Sequence, residues 1–311
     1  MKKITILIPV HNEEAVLPQL ETRLLENVNK LNTYEWEFLF IDDGSSDGSL
    51  AWLRTKHQQD PRFKYLSFSR NFGKEAAMLA GFDAFTGDCL IIIDADLQDP
   101  PELIVSMLHD WEEGYDDVYA QRCQRGKESY LRKILTLCYY RLMHYSTRIR
   151  LLPNVGDFRL LDRRCVRALQ DLREHNRYTK GLFCWIGFRK KGILFDRHDR
   201  QLGASSWNFS SLFNLALDGF IGFTAFPLRL AMLSGFAVFL FAFFYGIYVI
   251  IKTLCYGDPV AGYPSLMVVI VFLGGAQLFI LGVIGEYLSR IFDENKNRPN
   301  YIVAEKDGER V

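Results

Sequence analysis

Two long stretches without charge occupy the last third of the chain. No charged residue lies between Arg229 and Lys252, and none lies between Asp258 and Glu286. Each stretch exceeds the ~20 apolar residues that a helix needs to cross the core of a bilayer. A turn-forming segment, residues 256–259, joins them. The sequence therefore predicts a two-helix transmembrane hairpin at 226–290, with spans at about 230–252 and 265–287.

Basic residues flank this hairpin on the side of the chain termini. Arg229 precedes the first stretch, and Lys252 stands at the edge of the connecting segment. Others follow the second stretch, among them Arg290, Lys296, Arg298 and Lys306. Because cytoplasmic flanks are enriched in Lys and Arg, we expect both termini on the cytoplasmic side of a bacterial inner membrane. A single two-helix hairpin has little surface that it can shield from lipid by itself, so we also expect a homo-oligomer.

The first hundred residues repeat one pattern, in which a short apolar run ends in a polar turn. The runs are 4–8, 38–41, 65–68 and 90–93, with helix-like stretches at 14–31, 48–59 and 74–85 between them. Strands that alternate with helices predict an α/β domain with a mostly parallel sheet covered on both faces. Its ligands should bind beyond the carboxyl ends of the strands. We assign this cytoplasmic domain to residues 1–225 and a C-terminal tail to 291–311.

Composition excludes several classes of protein. The 37 basic residues are balanced by 37 acidic ones, which argues against a duplex nucleic-acid binder. The six cysteines include no C-x-x-C pair, which argues against a disulfide framework or a zinc site.

The sharpest chemical signal is the segment that follows the fourth strand. Asp94 and Asp96 stand two residues apart, and Gln98 follows. Carboxylate and amide oxygens suit a hard divalent cation that bridges to phosphate, so we predict Mg²⁺ or Mn²⁺. An exposed turn is the alternative. Asp43, after the second strand, has two compatible readings: a turn that caps the next helix, and a partner for a nucleobase.

Basic and amphipathic residues follow the acidic segment. Residues 130–152 and 208–226 alternate apolar with basic or aromatic residues, as in helices that lie on an anionic leaflet, although packing against the protein is the alternative. Arginine suits phosphate recognition, and surface attraction to lipid is the alternative reading for part of the cluster. The basic cluster comprises Arg122, Arg125, Lys127, Arg132 and Lys133.

Four motifs together resemble family 2 glycosyltransferases with the GT-A fold. They are 8–14 (IPVHNEE), 41–45 (IDDGS), 71–74 (NFGK) and 94–101 (DADLQDPP). The block 154–161 (NVGDFRLL) and the terminal hairpin make the chain most similar to polyprenyl-phosphate glycosyltransferases, especially the bactoprenol (undecaprenyl-phosphate) glucosyltransferases. Dolichyl-phosphate mannose synthases are more distant.

The resemblance implies roles for individual residues. Asp96 and Gln98 would ligate the metal, while Asp157 and Asp94, with Arg122, would lie at the reacting centre. The nucleotide sugar would contact Pro9, His11, Glu13, Asp43, Lys74 and Asp94. The acceptor phosphate would contact Arg122, Arg125, Arg132 and Arg200. Relatives often carry lysine where this chain has Ser206, which leaves Arg200 as the candidate cation of that loop.

These observations predict an inverting hexosyltransferase. It would move glucose from UDP-glucose to undecaprenyl phosphate on the cytoplasmic leaflet. A phosphate monoester has a second pKa of ~6 and needs little general-base help, so Asp157 would orient the sugar or tune charge. One alternative keeps the reaction but changes the donor to GDP-mannose or a UDP-aminoarabinose derivative. Another is a non-catalytic membrane transport or scaffold component.

Overall fold

The computed structural model describes residues 1–123, 152, 154–195, 224, 226–256 and 262–311. The predicted amphipathic segments at 130–152 and 208–226 lie almost entirely outside the described residues. The chain forms two compact units, one of Met1–Ala216 with Arg298–Val311 and one of Leu217–Asn297.

The strands that the structure describes in the first unit are β1 Lys2–Val10, β2 Tyr34–Asp42, β3 Phe63–Phe68, β4 Cys89–Ile92, β5 Asp117–Arg122, β6 Val155–Asp162, β7 Lys190–Phe195, β8 Val303–Lys306 and β9 Glu309–Arg310. They form one mixed sheet in the order β7-β5-β6-β4-β1-β2-β3-β8-β9. As predicted, the strands β4, β1, β2 and β3 at its centre are parallel, and their interiors are fully buried. Antiparallel pairs flank this core: β6 pairs with β4 and β5, and β8 pairs with β3 and β9.

Helices cover both faces of the sheet. The helices that the structure describes in this unit are α1 Leu17–Val28, α2 Ser49–Gln59, α3 Lys74–Ala84, α4 Leu103–Glu112, α5 Arg163–Asp171 and α6 Thr179–Trp185. The apolar faces of α1, α2 and α4 pack with Ile4, Ile6 and Ile8 of β1. On the opposite face α3 approaches so closely that a Cβ on Gly81 would lie 2.2 Å from Leu7 Cδ1, so that a larger residue there would displace the Leu7 side chain.

The topology gathers the predicted site at one edge of the sheet. The parallel strands β1, β2 and β4 end there, so that the residues after Val10, Asp42 and Ile92 are neighbours. Strand β6 runs the other way and pairs Arg159 with Ile92. Its first residues therefore extend past the end of β4, which brings Asp157 to the same edge as Asp94.

The last residues of the chain return to the sheet. Strand β8 pairs antiparallel with β3, with Lys306 opposite Leu66. Glu305 accepts a hydrogen bond from Arg54 Nε at 2.8 Å and another from Tyr65 Oη, and the Tyr65 backbone N–H donates to Asp307 at 2.8 Å. These bonds cover the β3 edge, which would otherwise leave backbone groups unpaired. The sequence analysis left this segment without assigned structure.

The second unit contains two long helices, α7 (Phe226–Tyr256) and α8 (Tyr263–Asn295). Among the described residues, the stretch Phe272–Asn295 has the length and apolar composition needed to cross a membrane. The stretch Leu230–Tyr245 is apolar but shorter. Two helices stand where the hairpin is predicted, while its two membrane spans remain a prediction.

Candidate active site

Lys74 joins two of the predicted acidic residues. Its Nζ lies 2.6 Å from Asp94 Oδ1 and 2.7 Å from Asp157 Oδ2. Burial alone would lower the pKa of Lys74, but the carboxylates of Asp157 and Asp94 raise it well above its ordinary value. The ammonium is therefore charged at every physiological pH. The sequence analysis assigned all three residues to the site, and the structure brings them into direct contact.

Asp157 is an ionised carboxylate in a buried position. Its side chain is 9% exposed, and its Oδ1 has no hydrogen-bond partner among the described residues. Burial alone would raise the pKa of Asp157, but Lys74 and Lys180 hold it well below its usual range. A carboxylate with so low a pKa is a poor base, which agrees with a role in orientation or electrostatics.

The acidic segment after β4 forms a tight turn. Leu97 adopts a positive φ of 60°, which is unusual for a residue other than glycine, and Asp96 Oδ1 accepts the Gln98 backbone N–H at 3.1 Å. Asp99 is buried beside it. Burial, together with repulsion from Asp94 and Asp96, raises the pKa of Asp99 to about 7. Negative charge is thus concentrated at this turn.

This donor set fits a divalent cation. Asp94, Asp96 and Asp99 carry carboxylate oxygens and Gln98 carries an amide oxygen, which are the ligand types that Mg²⁺ and Mn²⁺ prefer. Asp96 and Gln98 lie in this one turn, and the metal site on them remains a prediction. Elsewhere in the described chain, His109, Asp110 and Glu113 place ligand atoms within 4.8 Å of one another. Lys191 bonds both acids of that group, which lies at the C-terminal end of α4.

His11 and Asp43 connect the turns after β1 and β2. His11 Nδ1 lies 2.9 Å from the Asp43 carbonyl oxygen, and its Nε2 lies 3.1 Å from the Asn71 side-chain nitrogen. A neutral ring protonated on Nδ1 satisfies both contacts, donating to the carbonyl and accepting from the amide. Two other residues predicted to bind the nucleotide sugar belong to this part of the chain: Pro9 is half-buried near the end of β1, and the backbone N–H of Glu13 donates to Ser49.

The carboxylate of Asp43 holds the start of α3. It accepts the backbone N–H groups of Phe72 at 2.6 Å and Gly73 at 2.9 Å. Burial raises the pKa of Asp43, and these two hydrogen bonds oppose the rise. Asp43 thereby fixes the residue that precedes Lys74. The turn at Gly44 packs closely on the loop that leads to α3, because a Cβ on Gly44 would lie 2.4 Å from the Arg70 carbonyl carbon.

Arg122 is the one predicted phosphate ligand within the described residues. It ends β5 at the site edge, its backbone N–H donates to Asn154, and its guanidinium lies beside Gly156. It therefore lies beside the residue that precedes Asp157 in the chain. Arg125, Arg132 and Arg200 lie outside the described residues, as do Lys127, Lys133 and Ser206.

A pair of residues next to Lys74, Glu75 and Thr179, is in contact although the sequence gives no sign of it. Glu75 accepts hydrogen bonds from the backbone N–H of Thr179, at 2.9 Å, and from its hydroxyl. Burial and the nearby Asp157 raise the pKa of Glu75. Thr179 begins α6, and Lys180 follows it. No motif spacing links position 75 to position 179, so only the folded chain reveals the contact.

A three-layer α/β fold with carboxylates and a lysine at the carboxyl edge of its parallel strands defines a class of protein that binds phosphorylated ligands there. The Glycosyl transferase family 2 profile matches residues 5–169, and the GtrB C-terminal hairpin profile matches residues 226–291. The chain belongs to glycosyl transferase family 2, and it is a hexosyltransferase of that family, as the sequence predicted.

Full-length relatives support the assignment. An uncharacterized glycosyltransferase of Synechocystis is 45% identical over 97% of this chain and 95% of its own length. The SfII prophage-derived bactoprenol glucosyl transferase of Shigella flexneri is 42% identical over 97% of both chains. A prophage bactoprenol glucosyl transferase homolog of Escherichia coli is 40% identical over 97% of this chain and 98% of its own.

Proposed function

We propose that the protein transfers glucose from UDP-glucose to a polyprenyl phosphate, undecaprenyl phosphate, at the cytoplasmic face of a bacterial membrane. The observation that carries the proposal is the contact of Lys74 with Asp94 and Asp157 at the edge where a nucleotide sugar would bind. The similarity to bactoprenol glucosyl transferases along nearly the whole chain supports the acceptor and the sugar.

The reaction joins an acceptor phosphate oxygen to C1 of the glucose while the bond from C1 to the UDP oxygen breaks. Attack from the face opposite the leaving group inverts the anomeric carbon. The acceptor monoester has a second pKa of ~6, so it is largely dianionic at neutral pH and needs no strong base. The low pKa of Asp157 fits this requirement, because its carboxylate stays ionised and can orient the sugar hydroxyls.

Asp96 and Gln98 would hold Mg²⁺ or Mn²⁺, and the cation would supply charge neutralisation for the departing diphosphate. His11, Glu13 and Asp43 would bind the nucleoside, with Pro9 beneath it, and Lys74 would reach the diphosphate. Arg122, which stands at the Asp157 side of the edge, would receive the acceptor phosphate as a bidentate partner. Arg125, Arg132 and Arg200 would extend that cationic path.

The second unit supports attachment to a membrane. Large apolar side chains of both helices are exposed, among them Phe241 at 71% and Phe279 at 72%. Soluble monomers rarely expose apolar surface on this scale. We therefore propose two spans with both termini cytoplasmic, and self-association through the helices. In spheroplasts, a membrane-impermeant maleimide should label Cys255, exposed near the end of α7, and Cys255→Ser should abolish the labelling. Labelling that requires membrane rupture would contradict this topology.

The decisive experiment incubates the full chain in detergent with undecaprenyl phosphate and labelled UDP-glucose, GDP-mannose or a UDP-aminoarabinose derivative. Each donor is tested with Mg²⁺ and with chelator. Label in the lipid phase from UDP-glucose alone, dependent on metal, is the expected result. Asp96→Asn should abolish it, while Asp60→Asn, a carboxylate bonded to Arg62 before β3, should not. Transfer from another donor would replace glucose, and no transfer from any donor would overturn the proposal.

A further inference from the structure

We propose that Lys74 makes the binding of a divalent cation depend on the diphosphate of the nucleotide, because it competes with the cation for Asp94. This inference rests on the proposed function and assigns Lys74 a coupling role beyond contact with the donor. Lys74 is here a positioning residue for the carboxylates at the reacting centre.

The geometry leaves little freedom to the ammonium. Lys74 is the first residue of α3, and the preceding Gly73 is fixed by its hydrogen bonds to Asp43. From this anchor Nζ reaches both oxygens of Asp94, at 2.6 and 2.8 Å, and Asp157 Oδ2 at 2.7 Å. Both oxygens of Asp94 therefore contact one cation, and Oδ2 accepts a hydrogen bond from it. A second cation at Asp94 or Asp96 must share that carboxylate with the ammonium or displace it.

The Lys74 ammonium and a metal ion bound to the same carboxylate would both be positively charged. Like charges so close together repel strongly in a partly desolvated site. A diphosphate changes the balance, because it offers the ammonium anionic oxygens of its own and offers the metal further ligands. Movement of Lys74 toward the diphosphate would free Asp94 for the metal. It would also remove the ion-pair partner of Asp157, whose other oxygen is already without a partner among the described residues. That carboxylate would then be available to the sugar.

Coupling of this kind is reciprocal, so the nucleotide strengthens metal binding by the same factor as the metal strengthens nucleotide binding. Coupling between two sites typically falls between about 5-fold and 150-fold. We expect UDP to tighten Mn²⁺ binding by about tenfold or more in the unaltered protein.

The test measures Mn²⁺ binding to the full chain in detergent by electron paramagnetic resonance of free Mn²⁺, with and without UDP. Lys74→Met should bind Mn²⁺ alone about tenfold more tightly than the unaltered protein. The further tightening by UDP should be smaller in this variant than in the unaltered protein, because only the oxygens that the diphosphate offers to the metal remain to cause it. Lys74→Arg keeps the cation and should retain the dependence on UDP. Thermal melting of each variant checks that it is folded, and Lys74→Gln replaces Lys74→Met if the latter is not.

Lys180→Met is the matched control. Lys180 also lowers the pKa of Asp157, yet it makes no ion pair with Asp94 in the part of the chain that the structure describes. Its loss should therefore leave the coupling between Mn²⁺ and UDP unchanged. The inference fails if Lys74→Met binds Mn²⁺ alone no more tightly than the unaltered protein. It also fails if Lys180→Met has the same effect, since removal of any nearby positive charge would then be sufficient.

The failures of the two proposals are distinguishable. If the protein transfers glucose but Lys74→Met leaves Mn²⁺ binding unchanged, the coupling role is wrong and the proposed function stands. If no donor yields transfer but the coupling depends on Lys74, the coupling role stands and the proposed function is wrong.

Discussion

The guanidinium of Arg159 lies 3.2 Å from the carboxylate of Asp117, and both side chains are almost completely buried. Lys190 Nζ donates to the same carboxylate at 2.6 Å, and Arg159 also donates to the Gly156 carbonyl at 3.2 Å. The pair thus joins β6 to β5 and holds the segment just before Asp157. The buried charge of Arg159 therefore helps to position Asp157.

Loss of Arg159 should be costly. Arg159→Leu removes one of the two cations that contact the buried Asp117 and leaves Lys190 as the other. Breaking a buried ion pair so that a charge is left uncompensated costs about 3–5 kcal/mol, and because Lys190 remains we expect a loss near the lower end of that range. Denaturation of the detergent-solubilised protein measures the loss. Arg163→Leu is the control, because its ion pair with Asp88 is partly exposed, at 41% and 38%, and should contribute less than about 1 kcal/mol. Equal stability of the two variants would contradict the assignment.

Gly44 should tolerate no side chain. Its φ is +64°, and a Cβ would lie 2.4 Å from the Arg70 carbonyl carbon and 2.7 Å from the Asn71 nitrogen. Gly44→Ala should therefore displace the loop that leads to Lys74 and weaken UDP binding, measured by calorimetry. Gly114→Ala provides the comparison, because its φ is +92° but its nearest atom is a flexible Arg189 nitrogen at 3.9 Å. That variant should bear backbone strain of about 1–3 kcal/mol with UDP affinity unchanged.

The contact between Glu75 and Thr179 should stabilise the site. Thr179→Val removes a hydroxyl that donates to a half-buried carboxylate, and hydrogen bonds to charged groups contribute about 1.5–3 kcal/mol. We expect lower thermal stability and slower sugar transfer, because α6 begins at this residue and carries Lys180 next to Asp157. Thr179→Ser keeps the hydroxyl and should recover most of both. A serine variant as impaired as the valine variant would assign the effect to packing.

Glu305 should make stability depend on pH in the acidic range. The hydrogen bond from Arg54 outweighs burial and, with that from Tyr65, lowers the pKa of Glu305 from 4.5 to about 2. A lowered pKa in the folded state gives stability that is present above pH 4.5 and is lost as the pH falls toward about 2. Melting temperatures between these values should fall more steeply for the unaltered protein than for Glu305→Gln. Parallel curves would show that the carboxylate contributes nothing.

Much of the fold follows from local pattern. The apolar runs that predict strands at 4–8, 38–41, 65–68 and 90–93 correspond to β1 to β4, and the acidic turns lie at their carboxyl ends. The apolar pattern does not predict strand β6, because Asp157 and Arg159 interrupt its apolar residues. Their charges are satisfied by Lys74 and Asp117, which are distant in sequence, and periodicity carries no information about such partners. Strand β8 is too short to show a period at all.

The candidate site, too, is predicted only in part from the sequence. The motifs identify Asp94, Asp157 and Lys74 as members of one site, but they do not reveal that one ammonium bridges the two carboxylates. They also give no sign of Glu75 and Thr179, since a hydrogen bond between residues 104 positions apart leaves no local pattern. Residue type predicts chemistry, whereas distance and burial arise only from the folded chain.

The pairing of β8 with β3 also determines when, during synthesis of the chain, the sheet can be completed. Arg54 and Tyr65 receive their carboxylate partner from a residue made about 240 to 251 positions later. Because the ribosome releases the chain from its N-terminus onward, the β3 edge remains open until both apolar helices have been translated. The sheet of the first unit can therefore be completed only in the last stage of synthesis, when α7 and α8 have already been made.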